Sequence, residues 1–181
     1  MEEFKNYQNS NRDNKPKAFT SKSSGFDQAT NYRGQNDYSD PRENVKSQFE
    51  KLSYNSIWIT QGADLSLVKF AEDAGAYMAK NGLTNSKIRN IYAEIIRIKM
   101  LGNFQKNKSA FYLLKPKVAY ANGREEQYKE GKLSIVNNGL YLFKLIFDKA
   151  FDNIDSDFEY VNFCNLIESI LAYHKSNGGK D

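Results

Sequence analysis

From Asp64 to the end of the chain, apolar residues recur at three- and four-residue steps, and strict two-residue alternation is not sustained anywhere. That period belongs to helices with one buried stripe, not to half-buried strands. A first helix is predicted over Asp64–Lys80, with Leu67, Phe70, Ala71, Ala74, Tyr77 and Met78 inward and Asn81-Gly82 ending it. Thr84 is placed to cap a second, running to about Leu101 on a stripe of Ile88, Ile91, Tyr92, Ile95 and Ile98. A third begins near Ser109, turns Phe111, Tyr112 and Leu114 inward and meets Pro116. Proline disfavours helical angles in the residue before it, so either one helix kinks there or two abut; the kink is expected, with helix resuming to about Glu126. Lys132–Phe151 reads as a fourth, its Leu133, Val136, Leu140, Phe143, Phe147 and Ala150 spaced like a bundle seam. A fifth opens at Asp155 or Ser156, either a good cap, and carries Tyr160, Phe163, Cys164, Ile167 and Leu171 on one side. The expected fold class is all-α: a compact bundle of about five helices.

The N-terminal part differs. From Met1 to about Arg42 polar residues dominate, and no apolar period offsets the entropy of ordering the chain. A disordered N-terminal arm is expected over 1–44, ahead of a helical domain over 45–181. Phe19, Phe26, Tyr32, Arg33 and Tyr38 are scattered within or beside it and are expected to make no fixed contact. Val45–Thr60 is transitional: Val45, Phe49 and Leu52 have helical spacing, and Ile57-Trp58-Ile59 reads as an extended run whose tryptophan packs on the bundle.

Enzymatic chemistry lacks its parts. The one histidine, His174, excludes a histidine metal cluster and a histidine acid–base pair, and is expected to serve as a hydrogen bonder near a helix end. The one cysteine excludes an internal disulfide, and Cys164, among Phe163, Leu166 and Ile167, reads as an inert core thiol. Asp152, Asp155, Asp157 and Glu159 straddle a helix start, where acids are favoured by the dipole without any metal. No glycine-rich phosphate loop occurs. No catalytic residue, metal site or cofactor is expected. No apolar run approaches the ~18 residues of a membrane span, and the start lacks a signal peptide's order, so a cytoplasmic protein is expected. A net charge of +4 fits a nucleic-acid partner without identifying one.

The positive charge that matters lies around Pro116. On a helix through Lys115-Pro116-Lys117-Val118-Ala119-Tyr120-Ala121-Asn122-Gly123-Arg124, Lys117 and Arg124 are seven residues apart and point nearly the same way, with Tyr120 between them. They are separated by about 10 Å along the axis, close to the reach of two successive phosphates. Lys115 and Lys117 also sit where a helix restarting at Pro116 would expose free amides to an anion. Gly123, costly inside a helix, suggests a close approach to the backbone there. Taken alone, the segment is better read as a solvated helix face beside a buried tyrosine.

This block resembles the central signature of the small subunit of type III-A (Csm) CRISPR–Cas effector complexes. Two further blocks agree in order: Gly82-Leu83-Thr84-Asn85-Ser86-Lys87-Ile88-Arg89-Asn90-Ile91-Tyr92 and Glu168-Ser169-Ile170-Leu171-Ala172-Tyr173-His174-Lys175. The resemblance implies a non-catalytic prokaryotic protein that touches guide RNA and target RNA. It also implies contact with backbone subunits and the large signalling subunit, and several copies in a head-to-tail array. Target cleavage and signal synthesis would belong to other subunits. Lys87 and Arg89 join Lys115, Lys117, Tyr120 and Arg124 as expected RNA-binding residues, and Tyr128 and Tyr141 are candidates for contact between copies. The alternatives are a helical DNA-binding regulator reading through Thr84–Leu101 and a purely structural adaptor.

Overall fold

Helices α3 (Leu65–Lys80) and α8 (Asp157–Ser176) form the centre of the computed structural model, which describes residues 38–180. Both begin as their sequences predict. The Asp64 carboxylate accepts from Leu67 N at 2.9 Å. Ser156 forms a full capping box with Glu159, whose carboxylate accepts from Ser156 N at 3.0 Å. The two helices meet closely at Gly75, where an added Cβ would lie 2.6 Å from His174 N and 2.7 Å from the Ile170 carbonyl oxygen. Helix α8 buries Tyr160, Phe163, Cys164, Leu166, Ile167 and Ile170 on several sides, so its neighbours surround it.

Helices α2 (Ile57–Thr60), α4 (Asn85–Leu101) and α5 (Phe104–Tyr112) pack on α8, while α7 (Asn138–Phe151) packs on α3 and carries α1 (Pro41–Lys51) and α6 (Leu114–Gly123), with a hairpin of β1 (Gln127–Lys129) and β2 (Lys132–Ile135) beside α1. The class is all-α, a helical bundle as expected. The helix count among the described residues exceeds five for two reasons. Residues read as transitional form α1 and α2, and the third expected helix is two.

Ile57–Thr60 is one helical turn rather than an extended run. Trp58 still packs inward: it is 2% exposed, lies 4.9 Å from the Phe70 ring and donates its Nε1–H to Ser66 Oγ at 3.0 Å. Asn162 of α8 holds this turn by donating to the Ile59 carbonyl at 2.9 Å. Of the disordered arm expected over 1–44, residues 1–37 lie outside the described residues, and from Pro41 onward the chain is already in α1. Tyr38, expected to be uncommitted, donates its hydroxyl to the Leu133 carbonyl at 2.8 Å.

The expected kink at Pro116 is instead a junction between two helices at Leu113. Helix α5 starts at Phe104, earlier than expected, because Asn103 caps it by accepting from Lys106 N at 3.2 Å. Pro116 then falls in the first turn of α6, where a missing amide donor costs no intrahelical bond. The fourth helix also differs: it begins at Asn138, capped by Asn137, which accepts from Leu140 N at 2.9 Å. Before it, Glu130 and Gly131 turn the hairpin with φ of 50° and 76°. Consecutive positive φ values suit the twist of a two-residue hairpin turn.

The phenylalanines knit the far side of α8. Phe111 of α5 lies 4.3 Å from Phe151 of α7 and 5.2 Å from Phe104, with Tyr160 and Phe163 of α8 at 5.5 and 6.3 Å. Among the described residues, no helix is long and apolar enough to cross a membrane.

Candidate nucleic-acid interface

Helix α4 turns Ile88, Ile91, Ile95 and Ile98 into the core. The same period leaves Lys87, Asn90, Glu94 and Arg97 on a stripe turned about 100° from the buried one, along its flank. Helix α6 buries only Leu114, Val118 and Asn122, one residue per turn, so a wide flank stays open. Lys87 of α4 meets Glu125 just beyond α6, and Glu94 of α4 meets Lys117 near its start. The two helices therefore run in opposite directions. Between them lies a groove of about 660 Å³ lined by Lys87, Asn90, Arg97, Lys117, Tyr120 and Arg124, with Glu94 and Glu125.

Four cations thus face two carboxylates in the groove. Lys87 Nζ is 2.6 Å from Glu125 Oε2. Glu94 takes two partners, Arg97 Nε at 2.8 Å on one oxygen and Lys117 Nζ at 3.2 Å on the other. Hydrogen bonds from Arg97 and then Lys117 hold its carboxyl below the ordinary glutamate value. The stability this contributes is present above the unfolded-state value and is lost as pH falls through the lowered one. Arg124 lies 5.9 Å from the ring of Tyr120, which is 69% exposed, and has no carboxylate partner among the described residues.

The structure thus brings together Lys87, Lys117, Tyr120 and Arg124, and separates the other two residues named from sequence. Arg89 lies outside the groove, beside a shallow apolar depression on α4 formed with Tyr92, Ile96, Met100 and Leu101. Lys115, although only two residues from Lys117, faces away from the groove, 3.1 Å from Asp152 Oδ1 and 4.8 Å over the Phe151 ring. Arg97 and Asn90 belong to the groove and are not among the RNA-binding residues expected from sequence. Their register with Lys87 was visible in the sequence; the apposition of α6 was not.

Residues 63–180 match the family model described as Csm2 Type III-A. The chain belongs to this family. It is therefore a small subunit of a type III-A CRISPR effector complex. No curated protein and no solved structure gives a significant match. The matched region holds α3 to α8 and every groove residue, so the Csm2 family region and the groove coincide.

His174 is fully buried, with Nε2 3.0 Å from the Leu83 carbonyl oxygen, so that nitrogen carries a hydrogen and donates it. Cys164 is fully buried, and burial pushes its thiol up to about 12, away from the thiolate that reacts. The acidic run is spent on structure: Asp157 accepts from Phe104 N at 2.6 Å, Asp155 pairs with Lys108, and Glu159 completes the cap. No cluster of three or more histidine, cysteine or acidic residues could hold a metal among the described residues. Gly123 ends α6 with nothing within 4 Å of an added Cβ, so no neighbouring helix approaches it. Tyr141, a candidate for contact between copies, is 8% exposed and belongs to the core, whereas Tyr128 is 59% exposed.

Proposed function

We propose that this Csm2 family member binds RNA along the α4–α6 groove, as a non-catalytic subunit that holds the paired guide RNA and target RNA in place. The carrying observation is that Lys87, Arg97, Lys117 and Arg124, from two helices, line one open groove beside an exposed tyrosine. Cations at this spacing suit successive phosphates, and Tyr120 offers a face for a base or sugar. The groove holds few groups suited to base edges, so sequence would be read by pairing between the two RNAs while the protein holds the backbone. The buried, committed states of His174, Cys164 and the acidic run support a role without catalysis.

The partners that follow are the backbone subunits, the large signalling subunit and further copies of this chain, in a prokaryotic cytoplasm. One groove covers about 10 Å of α6 between Lys117 and Arg124. A longer RNA pair needs several copies, and a linear array needs head-to-tail contacts. Arg89 and Lys115, outside the groove, are assigned phosphates beyond its two flanks.

Replacing Lys117 and Arg124 together by alanine is expected to weaken binding equally for every RNA sequence. The slope of log affinity against log salt should flatten by about 1.4, at ~0.7 per single-stranded phosphate contact. Fluorescence anisotropy across a salt series measures it, with circular dichroism to establish that the variant folds. An unchanged slope in a folded variant contradicts the assignment.

A further inference from the structure

Across the groove, each helical segment lends the other one lysine and takes one glutamate. Lys87 of α4 reaches Glu125, and Lys117 of α6 reaches Glu94, which also holds Arg97. Three of the four groove cations are therefore already engaged, at 2.6, 3.2 and 2.8 Å. Arg124 alone has no carboxylate partner among the described residues. A phosphate entering this groove meets Arg124 free and must take the other three from carboxylates.

We propose that Glu94 and Glu125 set the affinity of the groove for RNA, by holding Lys87, Lys117 and Arg97 in intramolecular pairs that the phosphate backbone has to open. This inference rests on the RNA-binding reading above. A strand diffusing alone then binds weakly, because every phosphate contact beyond Arg124 costs a pair and leaves a carboxylate facing the new anion. A strand already positioned by neighbouring subunits arrives at high effective concentration and opens the pairs without needing high intrinsic affinity. The carboxylates thereby favour RNA delivered within the complex over loose cellular RNA, which is discrimination by building cost against the wrong partner.

The same pairs have a structural alternative. Helix α6 is anchored in the core by only Leu114, Val118 and Asn122, so ion pairs to α4 could serve to dock it. The two roles give different results on neutralising the carboxylates. Glu94→Gln with Glu125→Gln keeps side-chain size and a hydrogen-bond acceptor while removing both charges. If the glutamates restrain RNA binding, this variant binds more tightly. If they only dock α6, it melts at lower temperature and binds no better.

The experiment uses the full chain and fluorescein-labelled oligouridine, with anisotropy titrations over a salt series and a melting curve for each variant. Exposed pairs are each worth about 1.4- to 5-fold in an equilibrium constant. E94Q/E125Q is therefore expected to bind about 3- to 10-fold more tightly at low salt, once relief of carboxylate–phosphate repulsion is included. Its salt dependence should also steepen. In the native protein each released carboxylate takes up a cation on binding, offsetting part of the counterion release from RNA, and the variant has no such uptake. K117A/R124A should move both quantities the other way. Unchanged or weaker binding by E94Q/E125Q, while K117A/R124A still loses affinity, overturns the restraint and leaves the RNA groove standing. No effect from K117A/R124A overturns both. Should the double glutamine variant fail to fold, E125Q alone touches only the Lys87 pair and gives the same readout at smaller size, with unchanged binding overturning the proposal.

Discussion

Phe111→Ala is expected to destabilise the domain by about 3–5 kcal/mol, the range for deleting a buried phenylalanine ring. Phe111 is fully buried and its ring joins three helices: it meets Phe104 within α5, Phe151 of α7, and both Tyr160 and Phe163 of α8. Its removal leaves a cavity that these rigid rings fill poorly, and aromatic pairs contribute about 0.5–1.5 kcal/mol each beyond their buried area. Against a whole-domain stability of about 5–15 kcal/mol, that loss leaves a protein near its threshold. Urea denaturation followed by circular dichroism measures it as a lower midpoint with the slope retained. A loss below about 1 kcal/mol would show that α5 is not packed on α7 and α8 as described.

Gly75→Ala carries the second largest expected effect, and its sign is opposite to what helix propensity alone gives. In the middle of α3, alanine in place of glycine should gain about 1 kcal/mol. The added Cβ, however, would sit 2.6 Å from His174 N and 2.7 Å from the Ile170 carbonyl oxygen, both backbone atoms of α8 that cannot rotate aside. The two central helices must separate, and overpacking of this kind costs about 1–3 kcal/mol even after relaxation. Set against the propensity gain, a net loss of about 1 kcal/mol is expected in the same urea experiment. Gly123→Ala serves as the control: with nothing within 4 Å of its Cβ, it should be neutral or gain about 0.4–1 kcal/mol. Equal effects at the two positions would contradict the close approach of α3 and α8.

The contrast between these glycines shows what the sequence can and cannot disclose. Both sit within helical periods, and only the packing of one helix on another distinguishes a required glycine from a tolerated one. Local chemistry was legible: Asp64, Thr84 and Ser156 start α3, α4 and α8 because a cap needs only its own next three residues. The hairpin was hidden because Leu133 and Val136 happen to extend the stripe of α7 backwards, although Gly131 and Asn137 mark the true breaks. Pro116 drew the expected kink to itself, while the break between α5 and α6 falls at Leu113 and the proline is a first-turn residue of α6.

The groove divides in the same way. Lys117, Tyr120 and Arg124 share a face of one helix, and seven-residue spacing is enough to see that. Glu94, Arg97 and Glu125 enter the site only through the antiparallel apposition of α4 and α6. Lys115 left the site for a comparably nonlocal reason, its contact with Asp152 just beyond the end of α7.

Photocrosslinking from inside the groove tests the central claim most directly. A benzophenone amino acid replaces Tyr120, whose side chain is 69% exposed in the groove, or Phe158, which is 57% exposed at the start of α8 and does not line it. Each variant is assembled into the effector complex with guide RNA and target RNA and irradiated, and covalent protein–RNA adducts are resolved by denaturing gel and mass spectrometry. The groove account predicts RNA adducts from position 120 and none above background from position 158. Adducts from position 158 alone, or none from position 120 in a fully assembled complex, would contradict it.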